Sequence, residues 1–312
     1  MKKTPIILDV DTGIDDAIAL VLALQAQELD IKGITVVAGN QTLTKTLHNT
    51  LSVVDYLGRK DIPVAKGADR PLVKPPIVAD EAHGESGLGT AVLPEPTIKQ
   101  HELDAVSFLR KTLEESEEPI TILPVGPLTN IALLFLSYPH IKPKIKELVI
   151  MGGGAYEGNC TAMSEFNILV DPEAAQVVFD SGVPIVMCGL DVTMKSYTTK
   201  EDIQRIKDTN TTAGNFCAQA FEVYYNRYIN NTTLPGCAVH DAVTVTYLLH
   251  PQWIKTEKAT VSVDIDGHET YGATVCDFRP WRDTTKDNAL VCMDIEREKF
   301  VDLLVLACKS YR

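Results

Sequence analysis

Acidic residues stand at positions 9, 11, 15 and 16 of Asp9-Val10-Asp11-Thr12-Gly13-Ile14-Asp15-Asp16, around a single glycine. Carboxylates this close repel one another unless something positive sits among them. A helix start favours one or two acids through its unpaired N–H groups and the positive end of its dipole. Capping does not account for three or four acids converging on one turn. An oxygen-preferring divalent cation, Ca²⁺ or Mg²⁺, does. Other polar groups fall at strand ends or in the loops after them: Asn40, the main-chain carbonyl of Val125 before Gly126, and Met151 with the loop Asn159…Glu165-Phe166-Asn167. His240-Asp241, ahead of a late apolar helix, adds one more. Each has an ordinary reading by itself, as a turn residue or a helix cap.

The elements that must position these groups are legible in the periodicity. Ile6 to Leu8 is an apolar run of the kind a buried parallel strand shows, and Ala17 to Leu24 is a strongly apolar helix. The acids therefore sit on a strand-to-helix turn at the carboxyl edge of a parallel sheet, where open α/β sheets bind ligands. Strand-like runs recur at 31–37, 63–65, 120–124, 147–151 and 184–188. Helical patterns recur at 43–57, 104–115, after Gly126-Pro127-Leu128-Thr129-Asn130, and from Asp171-Pro172-Glu173, an N-cap followed by proline and an acid. The segment 67–96 is rich in Gly and Pro and carries His83-Gly84-Glu85-Ser86-Gly87-Leu88-Gly89; a long loop of this kind is usually functional or mobile. Residues 199–249 read as mostly helical, broken at 230–236, with Tyr224 and Tyr228 one turn apart on one face. From Ala259 the pattern alternates like antiparallel strands before a closing helix, 297–309. The expected fold is α/β: a mainly parallel, Rossmann-like open sheet flanked by helices, with a small antiparallel C-terminal portion, in a single domain over 1–312.

The chain has 312 residues, 45% hydrophobic and 23% charged, and a formal charge of −13. That charge, with no basic run, argues against nucleic acid and anionic membranes as partners. No uninterrupted apolar stretch reaches membrane-spanning length, and Met1-Lys2-Lys3 leads straight into the first strand without a signal peptide. Seven cysteines without CxxC spacing fit reduced thiols. A cytoplasmic protein is expected.

The motifs DVDTGIDDAIAL (9–20), VAGNQ (37–41), HGESGLG (83–89), VGPLTN (125–130), MGGG with EFN at 165–167, DPEAA (171–175) and VHDA (239–242) occur in this order. In combination they resemble the nucleoside hydrolases of the inosine–uridine-preferring (ribonucleoside hydrolase) family; Thr12 stands where many members have proline. The resemblance implies Ca²⁺-dependent hydrolysis of the N-glycosidic bond of ribonucleosides, giving ribose and a free purine or pyrimidine base. It implies a Ca²⁺ site made by Asp11, Asp16, Asp241 and the Val125 carbonyl. Asp11 would take the proton of the attacking water, and the transition state would be oxocarbenium-like. Asp15, Asn40, Met151, Asn159, Glu165 and Asn167 would hold the ribose, and His83, Tyr224 and Tyr228 would meet the base. His240, with an ordinary pKa near neutrality, is the expected acid for the leaving base. The resemblance also implies a small-molecule ribonucleoside as partner, a role in nucleoside salvage, and a homo-dimer or homo-tetramer. Two other readings compete. Asp9-Val10-Asp11-Thr12-Gly13 superficially resembles the DxDxT turn of Mg²⁺-dependent phosphohydrolases of the haloacid-dehalogenase type, with Asp9 as nucleophile. A nucleoside- or ribose-binding protein without turnover would need no general base.

Overall fold

In the computed structural model, which describes residues 2–311, the first apolar run forms β1 (Thr4–Val10) and the acid-rich turn leads into α1 (Ile14–Gln25). Alternation continues through β2 (Leu29–Val36), α2 (Leu43–Tyr56) and β3 (Val64–Lys66). The Gly- and Pro-rich stretch 67–96 holds one helical turn, α3 (Asp80–His83), and otherwise only bends and turns. Next come α4 (Ala105–Glu115), β4 (Ile120–Pro124), α5 (Thr129–Ser137) and β5 (Ile145–Met151). The loop after β5 ends in α6 (Phe166–Val170), followed by α7 (Pro172–Phe179), β6 (Ile185–Cys188) and α8 (Leu190–Thr193). Asp171 caps α7 as its sequence predicts: its carboxylate accepts the Ala174 N–H at 3.1 Å, with Pro172 in the first turn. The same carboxylate accepts from Leu72 N and Thr129 Oγ1, so one acid anchors α7, α5 and the start of the 67–96 stretch.

The remaining elements are β7 (Tyr197–Thr198), α9 (Lys200–Lys207), α10 (Thr212–Asn231), β8 (Cys237–Ala238) and α11 (Ala242–Leu249), then β9 (Ile254–Val263), β10 (Thr274–Asp277), β11 (Ala289–Ile295) and α12 (Arg297–Lys309). Nine strands make one sheet in the order β10-β9-β11-β6-β5-β4-β1-β2-β3. Every pairing from β3 to β11 is parallel; β9 runs antiparallel to β11, and β10 to β9. The C-terminal portion is thus antiparallel as expected, with β11 returning to pair parallel with β6. Along β1 the side chains alternate between the two faces: Ile6, Leu8 and Val10 enter the core beneath α1, and Ile7 enters the core beneath α4 and α5.

Strand order reverses at β1. The chain moves outward through β2 and β3 on one side and through β4, β5 and β6 on the other. The carboxyl ends of β1 and β4 therefore border the crevice that such a reversal opens. A second sheet was not expected from sequence: β7 pairs antiparallel with β8, two residues each. It matters because Val239 then bonds Ser196, as N–H donor to its carbonyl and as acceptor from its hydroxyl, and this fixes His240 and Asp241 at the same edge. Among the described residues no helix is long and apolar enough to cross a membrane.

Candidate active site

Asp16 is the hub of the crevice floor. In the first turn of α1, one of its carboxylate oxygens accepts the Asp11 N–H at 3.0 Å, and the other accepts the Gly13 N–H and Asn40 Nδ2, both at 2.9 Å. Asn40, just past β2, also donates its own N–H to Asp11 Oδ2 at 2.7 Å. The three residues lock the ends of β1 and β2 to the start of α1. Asp16, Asp15 and Asp241 present carboxylate oxygens all within 4.8 Å of one another, and Asp11 lies against Asp16. The approach to Asp11 requires glycine on both sides: a Cβ at Gly39 would lie 2.2 Å from Asp11 Oδ2, and one at Gly126 2.6 Å from Oδ1.

All four carboxylates are buried, and no lysine or arginine among the described residues pairs with any of them. Burial raises the pKa of each. Neighbouring carboxylates raise Asp11, Asp15 and Asp241 further, Asp15 to about 8. Asp11 Oδ1 and Asp15 Oδ1 are buried with no hydrogen-bond partner among the described residues. Two orphaned carboxyl oxygens amid four such groups are a donor set for a hard divalent cation. The structure thus brings Asp15, assigned from sequence to the ribose, into the tightest carboxylate group. The Val125 carbonyl accepts Asn167 Nδ2 at 2.8 Å, and a carbonyl retains a second lone pair for another partner.

A cavity of about 260 Å³ opens above this floor, near the small end of the usual ligand-site range of about 300–1,000 Å³. Of the site residues that the family resemblance implies, all but the deeper Asp11 and Asp16 line it. Several spend their polar groups locally. Glu165 caps α6, accepting from the N–H groups of Asn167, Ile168 and Gly153, and burial still raises it to about 7. Asn159 Oδ1 accepts the Phe166 N–H, and the side chain of Asn167 bridges the carbonyls of Val125 and Met151.

The opposite wall is aromatic. His83 Nδ1 accepts the Ile14 N–H at 3.1 Å, which leaves the ring proton on Nε2; burial lowers its pKa to about 3. Its ring stacks on Tyr224 at 5.7 Å, and the Tyr224 hydroxyl donates to Asp15 at 3.4 Å. Tyr228 packs edge-on against Tyr224, with its hydroxyl 2.5 Å from His240 Nε2. His240 Nδ1 meets Thr193 Oγ1 at 2.8 Å. Burial lowers His240 to about 4, so the ring is neutral at pH 7, in contrast to the near-neutral value assumed from its residue type. The cavity also contains Arg227, Asn231, Cys160 and Met194, to which the sequence reading gives no role. For Arg227 and Asn231 a signal existed, since they share a helical face with Tyr224 and Tyr228. Asp9, the nucleophile of the phosphohydrolase reading, is fully buried and outside the cavity; its Oδ1 is held by Thr35 and Asn130. That geometry removes it from any reacting position.

The family profile described as inosine-uridine preferring nucleoside hydrolase matches residues 6–302. The pyrimidine-specific ribonucleoside hydrolase RihA of Escherichia coli is 46% identical over 308 residues, covering 98% of this chain and 99% of that protein. Among solved structures, a purine-preferring ribonucleoside hydrolase from Gardnerella vaginalis superposes with a TM-score of 0.92 at 32% identity, covering 98% of each chain. A plant nucleoside hydrolase, PpNRh1, superposes with a TM-score of 0.92 at 29% identity, covering 98% of this chain and 99% of its own.

Proposed function

The chain belongs to the inosine–uridine preferring nucleoside hydrolase family, and from that membership we propose that it hydrolyses the N-glycosidic bond of ribonucleosides to ribose and free base. The observation that carries the chemistry is the floor of four buried carboxylates with two orphaned oxygens at the sheet's switch point. Ca²⁺ is the proposed ion, held by Asp11, Asp16, Asp241 and the Val125 carbonyl, with Asp15 close enough to share it. When bound, it supplies Lewis-acid chemistry that lowers the pKa of a water and orients the ribose hydroxyls.

Asp11 accepts a proton from the attacking water, whose oxygen bonds to the anomeric carbon as the C–N bond breaks. The electron pair of that bond leaves with the base. Positive charge building on the sugar ring is stabilised by the acids beneath it. Asp15, Asn40, Met151, Asn159, Glu165 and Asn167 position the ribose, and His83, Tyr224 and Tyr228 flank the base. His240, neutral at rest, takes up a proton when the substrate is bound and gives it to the departing base, with Tyr228 and Thr193 fixing its ring. The proposed unit is a single domain spanning the chain, assembled as a homo-dimer or homo-tetramer.

Uridine and cytidine are the first substrates to test, because the relative at 46% identity is named for pyrimidine specificity. Reducing-sugar release from uridine, cytidine, inosine, adenosine, 2′-deoxyuridine and thymidine is the assay. A site that hydrogen-bonds the 2′-hydroxyl rejects the deoxy analogues by roughly 10⁴-fold. Equal turnover of uridine and 2′-deoxyuridine removes the ribose assignments, and no release from any riboside removes the activity.

A further inference from the structure

In its last two turns α10 turns a single stripe toward the cavity: Tyr224, Arg227, Tyr228 and Asn231, spaced i, i+3, i+4, i+7, all of them lining it. Earlier on the same helix, buried positions such as Phe216, Cys217, Ala220 and Phe221 are small or apolar and pack into the core. Tyr224 on this stripe is buried and Tyr228 half-buried, so the guanidinium stands at the cavity wall. Arg227 is half-buried, and its side chain makes no ion pair or hydrogen bond with any described residue. Every other arginine among the described residues, from Arg59 to Arg297, pairs with a carboxylate. Arg227 is also the one lysine or arginine lining the cavity. Its charge bears on His83 and Tyr228, at the aromatic wall.

A guanidinium carries five N–H donors and no acceptor, so an unpaired one at a ligand wall is available to oxygen or ring-nitrogen acceptors of a ligand. With ribose on the carboxylate floor, the part of a nucleoside at the aromatic wall is the base. Keto bases present a carbonyl oxygen there; their amino counterparts present an NH₂ that faces N–H donors with another donor. We infer that Arg227 reads the nucleobase, donating to a keto oxygen and favouring uracil over cytosine and hypoxanthine over adenine. This rests on the ribonucleoside hydrolase reading. Negative charge on the departing base spreads onto the same oxygen, so the contact strengthens toward the transition state and acts on kcat/KM.

The test is kcat/KM for uridine, cytidine, inosine and adenosine in wild type, Arg227→Ala and Arg227→Gln. The controls are p-nitrophenyl riboside, which has no keto base, and uridine 5′-monophosphate, whose phosphate is the other oxygen acceptor a guanidinium could hold. One bidentate arginine contact discriminates bases by roughly five- to 100-fold. Wild type should show that keto preference. It should shrink to about threefold or less in both variants, because alanine donates nothing and a glutamine amide both donates and accepts. Turnover of p-nitrophenyl riboside should stay within about twofold of wild type, since the reacting centre is untouched. Three results overturn the inference while leaving the hydrolase reading intact. These are an unchanged keto-to-amino ratio in both variants, an equal fall with all substrates including p-nitrophenyl riboside, or a loss confined to the monophosphate. Absence of ribose release from every riboside in wild type overturns both.

Discussion

Asp16→Asn isolates the contribution of the floor to cation binding from its contribution to folding. The Asp16 carboxylate accepts three hydrogen bonds, one on one oxygen and two on the other. An asparagine that keeps its amide oxygen toward Gly13 and Asn40 loses only the bond from the Asp11 N–H. Leaving that buried donor unpaired costs about 1–3 kcal/mol. Removing a negative charge from beside Asp11, Asp15 and Asp241 offsets part of that cost, so the cation-free variant should unfold within a few degrees of wild type. The difference appears when the ion is added. Ligand at 1,000 times its Kd stabilises the native state by about 4.1 kcal/mol. At about 2.1 cal/mol/K per residue, 312 residues give an unfolding entropy of roughly 0.65 kcal/mol/K, so wild type should gain about 6 °C. A variant whose affinity falls 100-fold or more should retain about 2 °C or less at the same concentration. Calorimetry of both proteins, first with chelator and then with millimolar Ca²⁺ or Mg²⁺, reads this directly. An equal metal-induced shift in Asp16→Asn and wild type would refute Asp16 as a ligand.

His240→Ala should slow uridine and inosine by about 10²–10⁴-fold, the usual contribution of a positioned acid, and leave p-nitrophenyl riboside nearly unaffected. Equal slowing of all three would remove His240 as the leaving-group acid. Stability of the chelated protein should fall as pH rises from about 6.5 to 8.5. Burial raises Asp9 and Glu165 to about 7 and Asp15 to about 8, so their stabilisation is fully present below the unfolded values near 4 and is lost as pH passes through 7–8. His83 and His240, lowered to about 3 and about 4, act with the opposite sign, but only below their unfolded pKa near 6.5. Urea midpoints that climb with pH across this window would contradict the assignment.

Much of the site was legible because its parts are local. The change from an apolar strand to an apolar helix placed Asp15 and Asp16 in a first helical turn, and Asp171-Pro172-Glu173 announced α7. What stayed hidden depends on distant partners. Nothing near His240 in sequence points to Thr193, 47 residues away, and that pocket is what holds the imidazole neutral. The β7–β8 pair is two residues long on each side, too short for any periodic signal, yet it fixes VHDA at the sheet edge. The return of β11 to pair parallel with β6 is likewise a matter of topology that alternation cannot encode. Arg227 is hidden for another reason: a charge on a helix ordinarily reads as a solvated face, and only the packing of α10 shows which way that stripe turns.

The most direct test is chromatographic measurement of uracil and ribose from uridine with wild type and Asp11→Ala, each chelator-treated and then reloaded with Ca²⁺. Wild type should lose turnover on chelation and regain it on reloading. Asp11→Ala should be inactive in both states, since it lacks both a ligand and the base. Undiminished turnover by stripped wild type, or by Asp11→Ala, would contradict a cation-dependent hydrolysis carried out on the carboxylate floor.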